Sequence, residues 1–449
     1  VKRKGLSFHK IKMLSFLILF LFTASGCDEQ PSIMHQVQAD DEHIAEAKPP
    51  LSITVWCFEE QYADYAKKFE AAHPGVTVNV KRFSYKDHAE AYLDALEQGY
   101  APDVMEVGHE FLGEFNGIQG LVDLNAPPFQ ASELKPDISP DLWDTGLSYD
   151  NKHLIALPIT TSPLVTFYRK DIMERYGFPS EPEKLALYME DPDRWLAMAK
   201  RLKEHGIYLL QWDREPLQWY ESMFPLLNSR LQFNRNNAMI AQGLLLSQRV
   251  NVQGLDANVG VWTEAGTEAL GKGKLAMVYL GSWGERQLEE WAPHTKGLWR
   301  ATRLPMKLYG YYTGSSLIMP EQARNKELAW SFMKSVFYGV TDDSTVAAYL
   351  PSRKVLLDQE RHSQFLGGQQ ADRLYMELAS KMKEFRPTPL DKQAAEWYRS
   401  VKQRGIENNT LPDVILNQIE KLIEQGLQQE RRVILQYSRA LFKTMDITS

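Results

Sequence analysis

The chain has 449 residues, 44% hydrophobic and 24% charged, with a formal net charge of −7. That is enough chain for two domains or one large α/β unit, and far more than a small stapled domain needs. The acid excess disfavours a general nucleic-acid binder. Two cysteines cannot build a disulfide scaffold or a four-cysteine zinc site. Enzymes and binding proteins both stay open.

Val1–Lys12 carries Lys2, Arg3, Lys4, Lys10 and Lys12 and no acid; Met13–Thr23 is an apolar run, followed by Ala24-Ser25-Gly26-Cys27. A basic start, a short apolar core and small residues before a cleavage point describe a secretory signal over 1–26. As a helix the run spans about 16 Å, roughly half a bilayer core, so a processed segment is expected rather than a membrane span. Ala24-Ser25-Gly26-Cys27 resembles a bacterial lipobox, which implies cleavage before Cys27 and lipid on its thiol. The alternatives are a plain secretory signal with a coincidental cysteine, or a Cys27–Cys57 disulfide. Cys57 lies inside an apolar strand pattern and reads as a buried hydrophobe. Loss of 1–26 would remove five bases and no acids, taking the net charge from −7 to −12. Residues 27–50 are polar, acidic and aperiodic and close on Lys48-Pro49-Pro50. They read as a lipidated, disordered tether.

Ser52–Phe58 begins an apolar strand. Tyr62, Tyr65, Ala66, Phe69 and Ala72 then recur at spacings of three and four, predicting a helix over Glu60–Ala72 that His73-Pro74-Gly75 stops. Val76, Val78 and Val80 alternate with polar residues as in a strand. Tyr85–Gln98 repeats the helical pattern, and Ala101–Val107 supplies another strand. This alternation opens an α/β sheet. Further along, Leu154–Ile159 and Leu164–Tyr168 read as two short strands, Trp195–Leu202 as a helix ending near Gly206, and Ile207–Leu210 as a strand. A helix around Ala238–Ser247, strands at Leu275–Leu280 and Ser315–Met319, a helix from Glu321 to about Phe337 and a last long helix over Leu411–Leu427 follow.

Several landmarks recur in this order: His73-Pro74-Gly75-Val76, Ala101-Pro102-Asp103-Val104, Leu154–Pro158 with Phe167–Asp171, Gly273–Met277 leading into Gly281-Ser282-Trp283, Asn325–Met333, and Leu350-Pro351-Ser352-Arg353. Over roughly 51–440 the chain resembles the extracellular solute-binding proteins of ABC importers, in the group that binds sugars and oligosaccharides. The resemblance implies an α/β, two-lobed periplasmic-binding-protein-like fold, each lobe a mixed sheet flanked by helices, with a ligand cleft between. On that pattern lobe one takes 51–160 and 301–345, and lobe two takes 161–300 and 346–440. Two departures stand out. Asn151 occupies a turn position where the family often has glycine, and Gln211–Gln232 is unusually rich in aromatic and charged residues.

A sugar presents flat C–H patches ringed by hydroxyls, so its site needs aromatic faces beside polar side chains. By family position the connection after the first strand faces the cleft, offering Glu59, Glu60 and Gln61 as polar contacts; Glu60 and Gln61 could equally just open a helix, and Trp56 could be core. Trp283, on the Gly281-Ser282-Trp283 turn after a strand, is the most specific aromatic candidate, against a packing role between helix and sheet. Tyr311 and Tyr312 follow; at period two a strand would send one to the cleft and the other to the core. Trp212, Asp213, Trp219 and Tyr220 form an aromatic-plus-acid cluster, and Trp262-Thr263-Glu264 follows a glycine-bearing loop. Asp103 either approaches the cleft or orders a turn beside Pro102; Glu106 is a weaker candidate.

The resemblance implies a non-catalytic, membrane-tethered receptor, a monomer with no cofactor and no metal, that captures a carbohydrate on the extracytoplasmic face and delivers it to an ABC permease. Two readings compete: a receptor for a non-sugar solute such as a peptide, an amine or a metal chelate, and a ligand-presenting partner of a sensor kinase. A glycoside-active enzyme is disfavoured. Adjacent Glu59 and Glu60 point to opposite sides of an extended segment and cannot face each other across one bond. The sequence contains no nucleophile elbow, His-Glu-x-x-His pair or phosphate-cradling loop.

Overall fold

The structure is a computed structural model and describes residues 51–340 and 345–445, with side chains to 436. The expected signal peptide, the tether and Cys27 lie outside the described residues.

The opening follows the sequence pattern. β1 (Leu51–Cys57) pairs in parallel with β2 (Val76–Arg82), in register from Leu51↔Val76 to Cys57↔Arg82, and β3 (Val104–Gly108) joins its other edge in parallel. The intervening helix Tyr62–Ala72 buries Tyr62, Tyr65, Ala66 and Phe69, the stripe its spacing predicts. The second helix, His88–Gln98, ends where Gly99 takes φ +80°, a left-handed cap that glycine adopts without a Cβ penalty.

The two strands expected at Leu154–Ile159 and Leu164–Tyr168 are one strand. β4 (Ala156–Arg169) is buried throughout its fourteen residues and belongs to two sheets. Ala156–Pro163 pairs antiparallel with β7 (Tyr311–Ile318), which pairs in turn with β3. From Leu164 the same strand pairs with β5 (Met277–Gly281) and β6 (Trp299–Thr302). The polar run Thr160-Thr161-Ser162 hid this continuity. Those hydroxyls are buried but bonded, Thr160 to Ser315 at 3.1 Å, Thr161 to Glu384 at 3.2 Å and Ser162 to Ser282 at 3.1 Å, so their burial leaves no unmet polar group. The ladder shifts register at Pro163, which has no N–H to give, and resumes when Leu164 N donates to Gly310 O at 2.8 Å. The short β8 (Val346–Ala347) pairs with Thr160 and Thr161.

Period-two alternation sorts each sheet's side chains into two cores. In the first sheet Ile53, Val55 and Leu317 pack with Phe332 and Phe337 on one face, while Trp56, Met105 and Ile318 pack with Tyr92 and Phe115 on the other. In the second, Met277 and Tyr279 join Trp195 and Trp219, while Val278 and Leu280 join Trp299 and Tyr375. Both sheets are thus covered on both faces. The molecule is a two-lobed α/β protein of the periplasmic-binding-protein type, each lobe a mixed sheet flanked by helices.

Other expectations need correction. Ile207–Leu210 forms no strand: Tyr208 alone bridges to Leu275, because Leu210 and Gln211 then turn to the segment Ala257–Val259 for their backbone bonds. The helix expected from Glu321 begins at Lys326. The last-helix pattern is Pro412–Gly426, but a further helix, Gln428–Met445, follows it. Asn151 takes φ +62°, the region that Asn tolerates better than other non-glycine residues, so asparagine can stand where glycine is usual. Its side chain also accepts from Arg386 at 2.7 Å.

Candidate binding cleft

Where β3, β4, β5 and β7 converge, the two lobes enclose a cavity of about 710 Å³. The first sheet supplies the turn after β3 (His109–Phe111, Glu114) and the start of β7 (Tyr311–Thr313). The rest of the lining includes Glu215, Gln218, Trp219, Glu221, Ser222, Arg235, Tyr279 and residues between Phe385 and Arg399. Ligands of open α/β sheets commonly sit beyond the carboxyl ends of strands, and the turn after β3 holds such a place.

The floor is charged and tightly bonded. Glu221 accepts from Lys402 Nζ at 2.7 and 2.9 Å and from Tyr398 OH at 2.7 Å, with Arg235 at 4.0 Å. Burial opposes its ionisation, but Lys402 and Arg235 outweigh burial and hold the carboxyl below its ordinary range. Glu215 accepts from Gln211 N and Nε2, both at 2.6 Å, yet burial pushes its carboxyl up to about 7. Asp391 is raised to about 6 by burial against the bonds it takes from Thr388 N at 2.7 Å and Oγ1 at 3.0 Å. Glu110 opens onto the cavity, whose enclosing walls raise it while the Tyr85 hydroxyl offsets part of that shift. Glu114 pairs with Lys392 at 2.6 Å across the lobes. The lining holds six carboxylates (Glu110, Glu114, Glu215, Glu221, Asp391, Glu396) against three cations (Arg235, Lys392, Arg399). Beside them lie Phe111, Trp219, Tyr279, Tyr311, Tyr312 and Phe385. Rings beside hydrogen-bond acceptors suit a ligand with apolar faces and many hydroxyl or amine donors.

Of the residues expected to bind, Tyr311 and Tyr312 line the cavity, Trp283 packs beside Tyr312, and Trp262 packs beside Trp283. Trp283, half-buried just beyond β5, lies 5.6 Å from the ring of Tyr312 and 5.9 Å from that of Trp262. Gly281 makes this possible: a Cβ there would stand 2.3 Å from the Trp283 Nε1. Tyr312 is exposed to the cavity. Its neighbour Tyr311 is buried, with its hydroxyl 2.5 Å from His109 Nδ1; both line the cavity, but only Tyr312 presents an open ring. From lobe one, Glu59 and Gln61 reach Arg286, on the helix after Trp283, at 3.3 and 3.4 Å. The turn carrying Glu59 is shaped from beneath by Glu106. Its Oε2 accepts from Phe58 N at 3.0 Å and Glu59 N at 3.2 Å, and burial with the nearby Glu59 charge raises its carboxyl.

The remaining expected residues are placed elsewhere. Glu60 pairs with Arg82. Asp103 is buried and accepts from Thr54 N at 2.8 Å and Arg324 N at 2.7 Å, tying β1 to the segment before Lys326. Trp212 stacks under Arg214 at 4.8 Å and packs on Gly260, and Asp213 is raised by burial and by Asp256; neither lines the cavity. Trp219 lines its floor and Tyr220 is buried in the lobe-two core. Cys57 is a buried free thiol pushed up to about 12 by burial, inert as a nucleophile. Sequence reasoning missed Glu110, Glu215, Glu221, Arg235 and Asp391. Glu110 had a local signal in its place after the third strand, and Glu215 and Glu221 lie in the aromatic- and charge-rich segment Gln211–Gln232; Arg235 and Asp391 had none. Among the described residues, no group of three or more His, Cys, Asp or Glu side chains is placed to hold a metal ion.

Comparison with known proteins agrees with this architecture. A binding protein of Brucella abortus (strain 2308) is 23% identical over 288 residues, covering 62% of this chain and 68% of that protein. The ABC transporter associated binding protein from B. animalis subsp. lactis Bl-04, solved in complex with β-1,6-galactobiose, superposes with a TM-score of 0.68 at 18% identity, covering 85% of this chain and 98% of its own. The galacto-N-biose/lacto-N-biose I-binding protein of the ABC transporter from Bifidobacterium longum, in complex with lacto-N-biose, gives 0.68 at 17% identity, covering 86% and 98%. Residues 58–337 match the bacterial extracellular solute-binding protein family. With its two-lobed fold and interlobe cavity, the chain belongs to that family, one of binding proteins rather than enzymes.

Proposed function

We propose that this chain is the solute receptor of an ABC importer and that its solute is a carbohydrate, captured between the lobes and handed to a permease. The observation that carries this reading is the pairing, at one cavity, of an open aromatic face with a surplus of hydrogen-bond acceptors: Tyr312, with Trp283 packed beside it, among Glu110, Glu215 and Asp391. The two disaccharide complexes with the same fold support it. Dividing the chain into 51–160 with 301–345 and 161–300 with 346–440 puts the hinge where β4 and the 303–310 segment pass between sheets, and closure would turn about these crossings. Lipidation at Cys27, supported by the basic start, apolar run and Ala24-Ser25-Gly26-Cys27, would hold the receptor at the extracytoplasmic membrane face and raise its encounter rate with the permease.

Calorimetric titration against a panel of neutral di- and oligosaccharides tests the reading. A cognate glycan should bind, raise the melting temperature and shrink the radius of gyration in solution scattering. Saturating panel members that bind nowhere would remove the carbohydrate assignment. One observation favours a second solute class: six carboxylates against three cations in the lining would suit an amine-bearing solute. Amino sugars and polyamines in the same panel separate the two.

A further inference from the structure

Trp262 is 64% exposed, yet the loop that carries it is closely bonded and packed. The loop leading to it is bonded to Gln211 twice, Val259 N to the backbone oxygen at 3.2 Å and Val261 N to Oε1 at 2.8 Å. Thr263 caps the next helix, Glu264–Gly271, accepting from Gly266 N at 3.2 Å. Gly266 lies so close to Gly260 O that a Cβ there would be 2.0 Å from it, so the first helical turn clamps the loop. The edge-to-face neighbour Trp291 buttresses the indole, at 4.7 Å and 89°. A large apolar ring held outward by a fixed frame marks an interaction site better than a scattered surface hydrophobe does.

Trp262 is also the outer end of a continuous run. Tyr312 opens on the cavity, Trp283 lies 5.6 Å from it, and Trp262 lies 5.9 Å beyond Trp283. The rings come from three separate parts of the chain and lead from the cavity to solvent without a gap. A protein partner is a poor occupant. A whole Trp side chain offers about 150–250 Å², only Trp262 and Tyr312 in this run are exposed, and a stable interface needs about 800 Å² per partner. A chain of pyranose rings fits better, because each ring has an apolar face to lay on an indole and the run begins where the solute is held.

Resting on the carbohydrate reading, we propose that Trp262, backed by Trp291 and continuous with Trp283, is an outer subsite that stacks a further sugar unit of an oligosaccharide whose other end lies in the cavity. The receptor then discriminates glycan length, and the bound glycan emerges at the Trp262 end of the cleft.

The test is calorimetric titration of the mature chain with β-1,6-galacto-oligosaccharides and malto-oligosaccharides from disaccharide to pentasaccharide, using wild type, Trp262→Ala and Trp262→Phe. By analogy with base stacking on aromatic side chains, wild type should gain about tenfold in affinity on passing from the disaccharide to longer members of the binding series. Trp262→Ala should lose that gain while leaving disaccharide affinity unchanged, and Trp262→Phe should keep most of it. Melting curves on the same samples establish that both variants are folded. Equal affinity for short and long glycans in wild type, or an equal loss for both in Trp262→Ala, overturns the outer subsite and leaves the cavity reading standing. Binding of no member of either series by wild type overturns both. Unchanged glycan affinities in Trp262→Ala with weakened coupling to permease vesicles would assign the indole to a protein contact and also overturn the proposal.

Discussion

The floor and the mouth of the cleft are built on opposite plans. At the floor, Glu221, Lys402, Arg235 and Tyr398 form a buried, mutually bonded charge network, and Glu215 and Asp391 are raised carboxyls held by N–H and O–H donors. At the mouth, Tyr312 exposes its ring with the half-buried Trp283 beside it, and the nearby ion pair of Glu59 with Arg286 is largely solvated. The floor fixes shape and charge at the expense of desolvation; the mouth offers apolar area that a ligand can cover. Damage to the floor should therefore show as lost folding stability, and damage to the mouth as lost affinity.

The largest expected effect tests the floor. Lys402→Met leaves the Glu221 carboxylate buried with Arg235 only at 4.0 Å, and breaking such a pair costs about 3–5 kcal/mol. Denaturant unfolding should show that loss, and Glu221→Gln combined with Lys402→Met should recover most of it. An intact Lys402→Met protein would mean that the network contributes little.

Next comes pH. The Glu215 carboxyl, ordinarily at 4.5, is raised to about 7 by burial, so the folded state binds a proton that the unfolded state releases. Its stabilising contribution is complete below about pH 4.5 and fades as pH rises toward 7, by up to about 3 kcal/mol at 1.36 kcal/mol per unit. Unfolding free energies of wild type minus Glu215→Gln, measured from pH 4.5 to 7.5, should decline across that window. A flat difference would show that Glu215 is already ionised on the floor.

Trp283→Ala should weaken cognate glycan binding about tenfold, within the roughly 1–3 kcal/mol assigned to aromatic stacking. Because Trp283 is half-buried, its stability loss should fall below the 3–5 kcal/mol typical of a fully buried Trp. A large stability loss with wild-type affinity would move it from the mouth to the core. The smallest effect belongs to Arg286→Ala. Its pair with Glu59 leaves the two side chains 51% and 36% exposed, and such pairs contribute about 0.2–1 kcal/mol. Melting temperatures at low and high salt should converge for wild type and variant.

The same contrast explains what the sequence disclosed. The opening βαβαβ run, the helix stripes and the Gly281-Ser282-Trp283 turn are local patterns, so their positions could be read directly. The positions of Trp283 and Tyr312 could be read for that reason too: Trp283 stands on the turn after β5 and Tyr312 at the start of β7. The floor was not, because Glu221 meets Lys402 across 181 positions of chain and Glu215 owes its raised carboxyl to burial; no local spacing encodes either. Glu60 and Asp103 show the converse. Each sits in the right family segment, but Arg82 and the Thr54 and Arg324 amides engage their carboxylates. The split reading of β4 failed because buried hydroxyls at Thr160–Ser162 interrupt hydrophobicity without interrupting the strand.

The most direct test is a crystal structure of the protein with the tightest-binding saccharide of the panel. A sugar ring should lie against Tyr312 and Trp283, with its hydroxyls within hydrogen-bond distance of the carboxylates that line the cavity. A saccharide lodged on another surface, with the cavity between the lobes left to solvent, would contradict that placement.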